Sequence, residues 1–109
     1  EPKSQTPIVR NRIIYRKNLN KGKIDYSVIQ QLIDNGYYDS YYLKNNSFKH
    51  SVPTAGHSKK SSKLRRIDYI WINKSLSRYL SDSQIIQDET TNNLSDHYPI
   101  LIKLDFNKN

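Results

Sequence analysis

The chain has no cysteine and no methionine, and glycine accounts for only three of its 109 residues. The absence of cysteine excludes disulfide bonds and metal sites built from thiolates. Apolar residues make up 35% of the chain, and no apolar run approaches the roughly 18 residues of a membrane-spanning helix. The sequence therefore predicts one domain at most, with a modest hydrophobic core and no segment that crosses a membrane.

Acidic residues are fewer than basic residues. Aspartate and glutamate total 10 against 18 lysines and arginines, which gives a formal net charge of +8 and a pI of about 9.7. A charge of this sign attracts polyanions such as nucleic acids, anionic membrane surfaces and phosphorylated substrates. It is equally compatible with lysines that serve only solubility.

A polar, titratable segment, Ser95–Pro99, directly precedes the apolar run Ile100–Leu104. Such a run is typical of a largely buried strand, and Pro99 is tolerated only at the first residues of a strand or at an edge. His97 is therefore predicted in the loop that leads into the strand, at the rim of a sheet. Histidine has an unperturbed pKa of about 6.5, which suits proton transfer near neutrality. The alternative is a surface histidine beside a capping aspartate.

A second segment, Arg65–Ile72, is rich in β-branched and aromatic residues and is predicted to form a strand. Alternation along a strand assigns Asp68, Ile70 and Ile72 to one face and Ile67, Tyr69 and Trp71 to the other. Burying a carboxylate without a partner costs several kcal/mol. Asp68 should therefore face a cation, a hydrogen-bond donor or a metal ion, and His97 is the natural candidate.

The two segments RRIDYIWIN and SDHYPI, in this order, together resemble the carboxy-terminal signature of the endonuclease/exonuclease/phosphatase superfamily. Members of this superfamily are metal-dependent phosphoesterases related to pancreatic deoxyribonuclease. The resemblance implies that His97 is catalytic and acts on the nucleophilic water or the phosphate, that Asp68 orients it, and that Asp96 assists at the metal or phosphate. It makes Asp96 and His97 candidate metal-binding residues and implies Mg²⁺ or Mn²⁺ as the cofactor.

The resemblance also bears on the densest basic run of the chain. In the superfamily, the loop before the Asp68 strand borders the active site, so cations there could steer a phosphate. This makes Lys63, Arg65 and Arg66 the candidate substrate-binding residues. An ordinary solvated charge run is the alternative.

The implied fold is α/β in the broad sense (α+β): the carboxy-terminal half of a four-layer sandwich, with one mostly antiparallel sheet covered by one or two helices. Residues 1–109 would then be a partial domain. Glu1-Pro2 is similar to the turn that comes after the superfamily's Gly-Asp-Phe-Asn motif, whereas the Asp-x-Asn motif, the upstream asparagine and the glutamate metal ligand of complete members are missing. We therefore expect part of an active site, an incomplete metal site and little or no activity from this chain alone.

Two other functions remain open at this point. The chain could be a non-catalytic basic module that binds DNA or RNA through the Lys59–Arg66 run and exposed tyrosines. It could also be an interaction domain in which Asp68 and His97 only satisfy each other. If the chain does belong to a phosphoesterase, the substrate could be a nucleic acid, a lipid or a nucleotide. The net positive charge weakly favours a nucleic acid.

The remaining pattern predicts a helix over residues 26–35, with Asp25 as its N-cap and Gly36 as its stop. Its apolar stripe is formed by Val28, Ile29, Leu32 and Ile33. Tyr37–Tyr42 is predicted to be extended, with Asp39 in a structural role.

A long polar loop, Asn45–Lys63, follows. It contains His50 and His57, but no third ligand at a regular spacing supports a metal site there. A helical turn near Leu76–Leu80 and a short strand at Ser83–Gln87 complete the prediction, with a polar turn at Asp88–Leu94 before the closing strand.

Overall fold

The computed structural model describes residues 19–20, 23–24 and 26–107 of the chain. Among these residues short helices alternate with strands, and the strands pair as three separate two-stranded antiparallel sheets, β1 with β2, β3 with β4 and β5 with β6. The strands are β1 (Leu19–Asn20), β2 (Lys23–Ile24), β3 (Tyr37–Asp39), β4 (Trp71–Asn73), β5 (Leu80–Ile85) and β6 (Ile100–Leu104). The helices are α1 (Ser27–Asp34), α2 (Ser40–Asn45), α3 (Lys74–Ser77) and α4 (Thr91–Leu94), with a 3-10 helix at Ala55–His57.

This is a mixed α+β architecture, as predicted. The expected single antiparallel sheet is not what the described residues form, since their strands make three small sheets. Every helix in the described ranges is too short or too polar to cross a bilayer.

Helix α1 confirms the helix predicted over residues 26–35. It ends where expected, because Gly36 adopts a positive φ of 82°, a conformation that costs glycine little, and its N–H donates to the Ile33 carbonyl. At the other end the N-cap residue is Tyr26, and the predicted cap Asp25 lies outside the described residues.

The extended segment predicted over Tyr37–Tyr42 is only half correct. Strand β3 stops at Asp39, and the chain turns at once into helix α2. The cause is the Asp39 carboxylate, whose Oδ1 accepts from the N–H groups of Tyr41 and Tyr42 at 3.2 and 3.5 Å and so caps the helix.

The strand predicted over Arg65–Ile72 is also shorter than expected. Only β4 pairs with β3, in a register that sets Ile72 opposite Tyr38, and Arg65 forms an isolated bridge to Val52. Residues 66–70 lie between these pairings outside any ladder. Strand β3 cannot extend to meet them because its chain has turned into α2 at Asp39.

The carboxy-terminal part is a β5–β6 antiparallel pair, in which Ile85 lies opposite Ile100. Strand β6 confirms the predicted closing strand. Strand β5 begins at Leu80, three residues before the predicted Ser83, and the predicted polar turn contains helix α4.

The apolar core is small and lies against this pair. Tyr41 from α2, Ile85 from β5 and Tyr98 are buried together, with Ile100 packed on them. Several polar residues are also fully buried, among them Asp39, Ser51, Thr54 and Arg66. Because buried polar groups need partners, these residues bind the loops to one another, and they determine the geometry of the region around His97.

Candidate active site

The side chains of Asp68 and His97 meet in the structure. Nδ1 of His97 lies 2.8 Å from Oδ2 of Asp68, across 29 positions of sequence. A carboxylate only accepts hydrogen bonds, so Nδ1 carries the proton that is shared with Asp68. In the neutral ring this leaves Nε2 as an acceptor, which is the tautomer that a general base requires.

The pair lies at the surface rather than in a core. The side chains are 32% exposed for Asp68 and 43% exposed for His97. The expectation that Asp68 is a buried carboxylate on a strand is therefore wrong, because residues 66–70 join no ladder and leave the side chain partly open to solvent. This exposure makes the imidazole accessible to a ligand.

Ser51 holds the Asp68 segment in place. Its hydroxyl oxygen accepts from the N–H groups of Ile67 and Asp68 at 3.1 and 3.4 Å, and its own proton is directed at the Arg65 carbonyl at 3.5 Å. Its carbonyl oxygen accepts from the N–H of Tyr98 at 2.8 Å. One fully buried serine therefore joins the segment that carries Asp68 to the residue that follows His97.

Arg66 also anchors this segment, through its own side chain. The guanidinium is only 1% exposed and donates to both carboxylate oxygens of Asp39. The rings of Tyr41 and Tyr69 lie 5.5 and 4.8 Å from its Cζ, so that aromatic faces cover the cation. Arg66 was expected to bind substrate, but its burial and its pairing with Asp39 give it a structural role.

The other two candidate substrate-binding residues remain accessible. Lys63 is exposed. Arg65 is partly exposed, and its backbone pairs with Val52 through hydrogen bonds of 2.9 and 3.1 Å. Both therefore stay candidates for contact with an anion.

The loop that carries Asp96 and His97 is held by its own serine and by Thr54. The Ser95 hydroxyl accepts from the His97 N–H at 3.1 Å and donates to Oδ1 of Asp96 at 3.4 Å. The N–H of Thr54 donates to the Asp96 carbonyl at 3.2 Å, and its hydroxyl donates to the Ser95 carbonyl at 2.6 Å. The Asp96 carboxylate itself is exposed.

Tyr98 fixes the start of the closing strand. Its hydroxyl donates to Oδ1 of Asn92 at 2.5 Å and accepts from the N–H of Ala55 at 2.9 Å. The ring of His50 packs on it edge to face, with centroids 5.6 Å apart. Burial lowers the pKa of His50, helped by the charge of Lys49 and opposed by a hydrogen bond to the backbone of Pro53.

The donor set fits a hard divalent cation only in part. Mg²⁺ takes oxygen ligands, commonly one or two carboxylates together with water and substrate phosphate. Asp96 offers an exposed carboxylate, whereas His97 offers a nitrogen that Mg²⁺ does not prefer. Within the part of the chain that the structure describes, no three histidine, aspartate or glutamate side chains form a metal-binding group.

The sequence did not predict which residues tether the segments around the site, namely Ser51, Thr54 and Tyr98. Each acts on residues far along the chain, and neither periodicity nor spacing reports such contacts. Serine and threonine in a polar loop have no local feature that distinguishes a buried tether from a solvated side chain.

Comparison of the chain with protein-family models, with curated proteins and with solved structures finds no match.

Proposed function

We propose that this chain supplies the histidine–aspartate pair of a metal-dependent phosphoesterase, which hydrolyses phosphodiester or phosphomonoester bonds. The observation that carries the proposal is the 2.8 Å contact between Nδ1 of His97 and Oδ2 of Asp68. It joins the two motifs that resemble the superfamily signature, and it does so at an accessible surface.

The chemistry of phosphate esters suits such a pair. Hydrolysis needs an in-line water, stabilisation of the negative charge on the phosphoryl oxygens and help for the leaving alkoxide. His97, held by Asp68 through Nδ1, can accept a proton from the water at Nε2 or, when protonated, place a positive charge beside the phosphate. Asp68 fixes the tautomer, as the orienting aspartate of a catalytic triad does.

Mg²⁺ or Mn²⁺ would neutralise the phosphoryl oxygens and lower the pKa of a bound water. Among the described residues, Asp96 is well suited to hold it, because Asp96 is exposed and precedes His97 in the chain. The other ligands would come from the amino-terminal half of the same domain. His97 would act on water or phosphate rather than as a ligand.

Exposed apolar side chains support the larger sandwich that the proposal requires. Val28, Leu94, Leu101 and Phe106 are large hydrophobic residues that the described part of the chain leaves in contact with solvent. Covering these side chains with a further layer would remove their apolar area from water, which is favourable. We propose that this layer is the first half of a four-layer sandwich.

The test is Mg²⁺-dependent hydrolysis of bis(p-nitrophenyl) phosphate and of plasmid DNA by the polypeptide that includes the reading frame before Glu1. We expect activity that chelation abolishes and that His97→Ala lowers by about 100- to 10,000-fold, the contribution typical of a general acid or base. His50→Gln is the matched control and should retain activity.

Two results would contradict the proposal. One is full activity in His97→Ala. The other is the absence of metal-dependent hydrolysis from the longer polypeptide. The residues 1–109 alone should show little or no cleavage, so metal-dependent cleavage by them alone would contradict the incomplete metal site.

A second candidate function is non-catalytic binding of nucleic acid. The net charge of +8 and the exposed Lys59, Lys60 and Lys63 favour it. Binding of DNA or RNA that weakens steeply with salt, needs no metal and survives His97→Ala would support this function over catalysis.

A further inference from the structure

Thr54 makes more contacts around the site than its place in a polar loop suggests. It is fully buried, and it directly precedes the 3-10 helix Ala55–His57. Its N–H donates to the Asp96 carbonyl, and its hydroxyl lies 2.6 Å from the Ser95 carbonyl and 2.8 Å from Nδ1 of His57.

The direction of these hydrogen bonds follows from counting protons. A threonine hydroxyl has one proton, and a carbonyl oxygen can only accept. The proton of Thr54 therefore goes to the Ser95 carbonyl, and the hydroxyl oxygen must accept from Nδ1 of His57. The contact fixes His57 with a proton on Nδ1, which leaves Nε2 as the acceptor in the neutral ring.

We propose that Thr54 is a positioning residue: its hydroxyl holds the loop that carries Asp96 and His97 and, through the same oxygen, fixes His57 as the Nδ1–H tautomer. This inference rests on the proposed function only where it concerns catalysis. Its structural part stands on the contacts of Thr54 alone. Like Asp68 for His97, Thr54 sets which nitrogen of a neighbouring histidine carries the proton.

The loop is suited to such a role because the two segments meet closely. A Cβ at Gly56 would overlap the carbonyl oxygen of Asn92, so the 3-10 helix lies directly against helix α4. The Tyr98 hydroxyl adds a second tether, between Asn92 and the N–H of Ala55. This tether should keep the segments together when the Thr54 hydroxyl alone is removed.

Two substitutions separate the hydroxyl from the shape of the side chain. Thr54→Val has nearly the same volume but lacks the hydroxyl, and Thr54→Ser keeps the hydroxyl but lacks the methyl group. Long-range ¹H–¹⁵N spectra of the imidazole rings in the 109-residue chain report the tautomer of each histidine. His50, whose Nδ1 lies 3.5 Å from the Gln87 amide nitrogen, is the internal control, and the Tyr98 resonances report whether the loop region stays folded.

In the wild-type chain and in Thr54→Ser we expect His57 to show the Nδ1–H signature. In Thr54→Val we expect His57 to lose it in favour of Nε2–H, the tautomer that histidine prefers in water. We also expect the His97 resonances of Thr54→Val to shift part of the way towards the His97 resonances of Asp68→Asn, because a displaced loop weakens the contact between His97 and Asp68. The inference is overturned if His57 or His97 keeps its wild-type resonances in folded Thr54→Val, or if Thr54→Ser behaves like Thr54→Val.

The catalytic part is tested in the longer polypeptide. Thr54→Val should lower kcat, by up to about 100-fold for a displaced catalytic group, with little change in KM, and Thr54→Ser should restore it. An inactive wild-type polypeptide would refute the proposed function, whereas the spectra would still decide the structural part. An active Thr54→Val with unchanged kcat would refute the positioning role while leaving the proposed function intact.

Discussion

Asp68 and His97 are joined by a 2.8 Å hydrogen bond between Oδ2 and Nδ1, although neither residue lies in a β-strand. The contact is not produced by strand pairing. Ser51 binds the backbone of Asp68 through its hydroxyl and that of Tyr98 through its carbonyl, and Thr54 binds the backbone of Ser95 and Asp96. The geometry of the pair therefore depends on two buried hydroxyl residues in the preceding loop.

Ser51→Ala should destabilise the chain by about 1–3 kcal/mol, because the partly buried N–H groups of Ile67 and Asp68 lose the acceptor that the buried Ser51 hydroxyl provides. Urea unfolding measures the change. Ser83→Ala is the matched control: Ser83 is equally buried, and its hydroxyl has no hydrogen-bond partner among the described residues, so removing this hydroxyl should not lower the stability. Equal effects of the two substitutions would contradict a tethering role for Ser51.

Asp39→Asn should lower the free energy of unfolding more than Ser51→Ala does, because it leaves the buried guanidinium of Arg66 without its counter-charge. We expect a loss of about 3–5 kcal/mol, the range for breaking a buried ion pair. Asparagine is also a good N-cap, so the cap of α2 is retained and the measurement isolates the charge pair.

The double variant Asp39→Asn with Arg66→Met is the control for this interpretation. Removing the buried cation should recover much of the stability, since an apolar side chain needs no partner. If the double variant is no more stable than Asp39→Asn alone, the loss does not come from the unpaired charge of Arg66.

His50 gives the fold a dependence on pH. Burial lowers its pKa below the ordinary value of 6.5, so that below this value the unfolded chain binds a proton more readily than the folded chain. Above about pH 7 the proton equilibrium of His50 does not reduce the free energy of unfolding. As the pH drops through 6.5 towards the lower pKa of the folded chain, the unfolded chain takes up the proton first, and the free energy of unfolding decreases. His50→Gln should flatten the pH dependence of the urea midpoint in this window, and an unchanged slope would contradict the assignment.

The parts of the fold that were predictable are those with a local cause. Helix α1 could be predicted because apolar residues recur at helical spacing and a glycine follows, and β6 because five residues after Pro99 are nearly all apolar. The turn into α2 also has a local cause, the Asp39 cap, but it was missed because the run of tyrosines around Asp39 favours an extended chain. The pairing of Asp39 with Arg66 has no local signal, because the two residues are 27 positions apart.

The candidate site was predictable to a similar extent. Asp68 and His97 were identified because their motifs are local, and a carboxylate among apolar residues calls for a partner. Arg66 was misassigned because a run of cations does not reveal which of them is buried. Ser51 and Thr54 could not be found because their contacts depend on how the loop folds over the site.

The most direct measurement is the tautomer of His97 in long-range ¹H–¹⁵N spectra of the wild-type chain, of Asp68→Asn and of Asp96→Asn as the control. If Asp68 orients the ring for phosphoesterase chemistry, wild type and Asp96→Asn should show the proton on Nδ1, and Asp68→Asn should lose that preference. A His97 tautomer that is the same in all three proteins would contradict the pairing on which the proposed function depends.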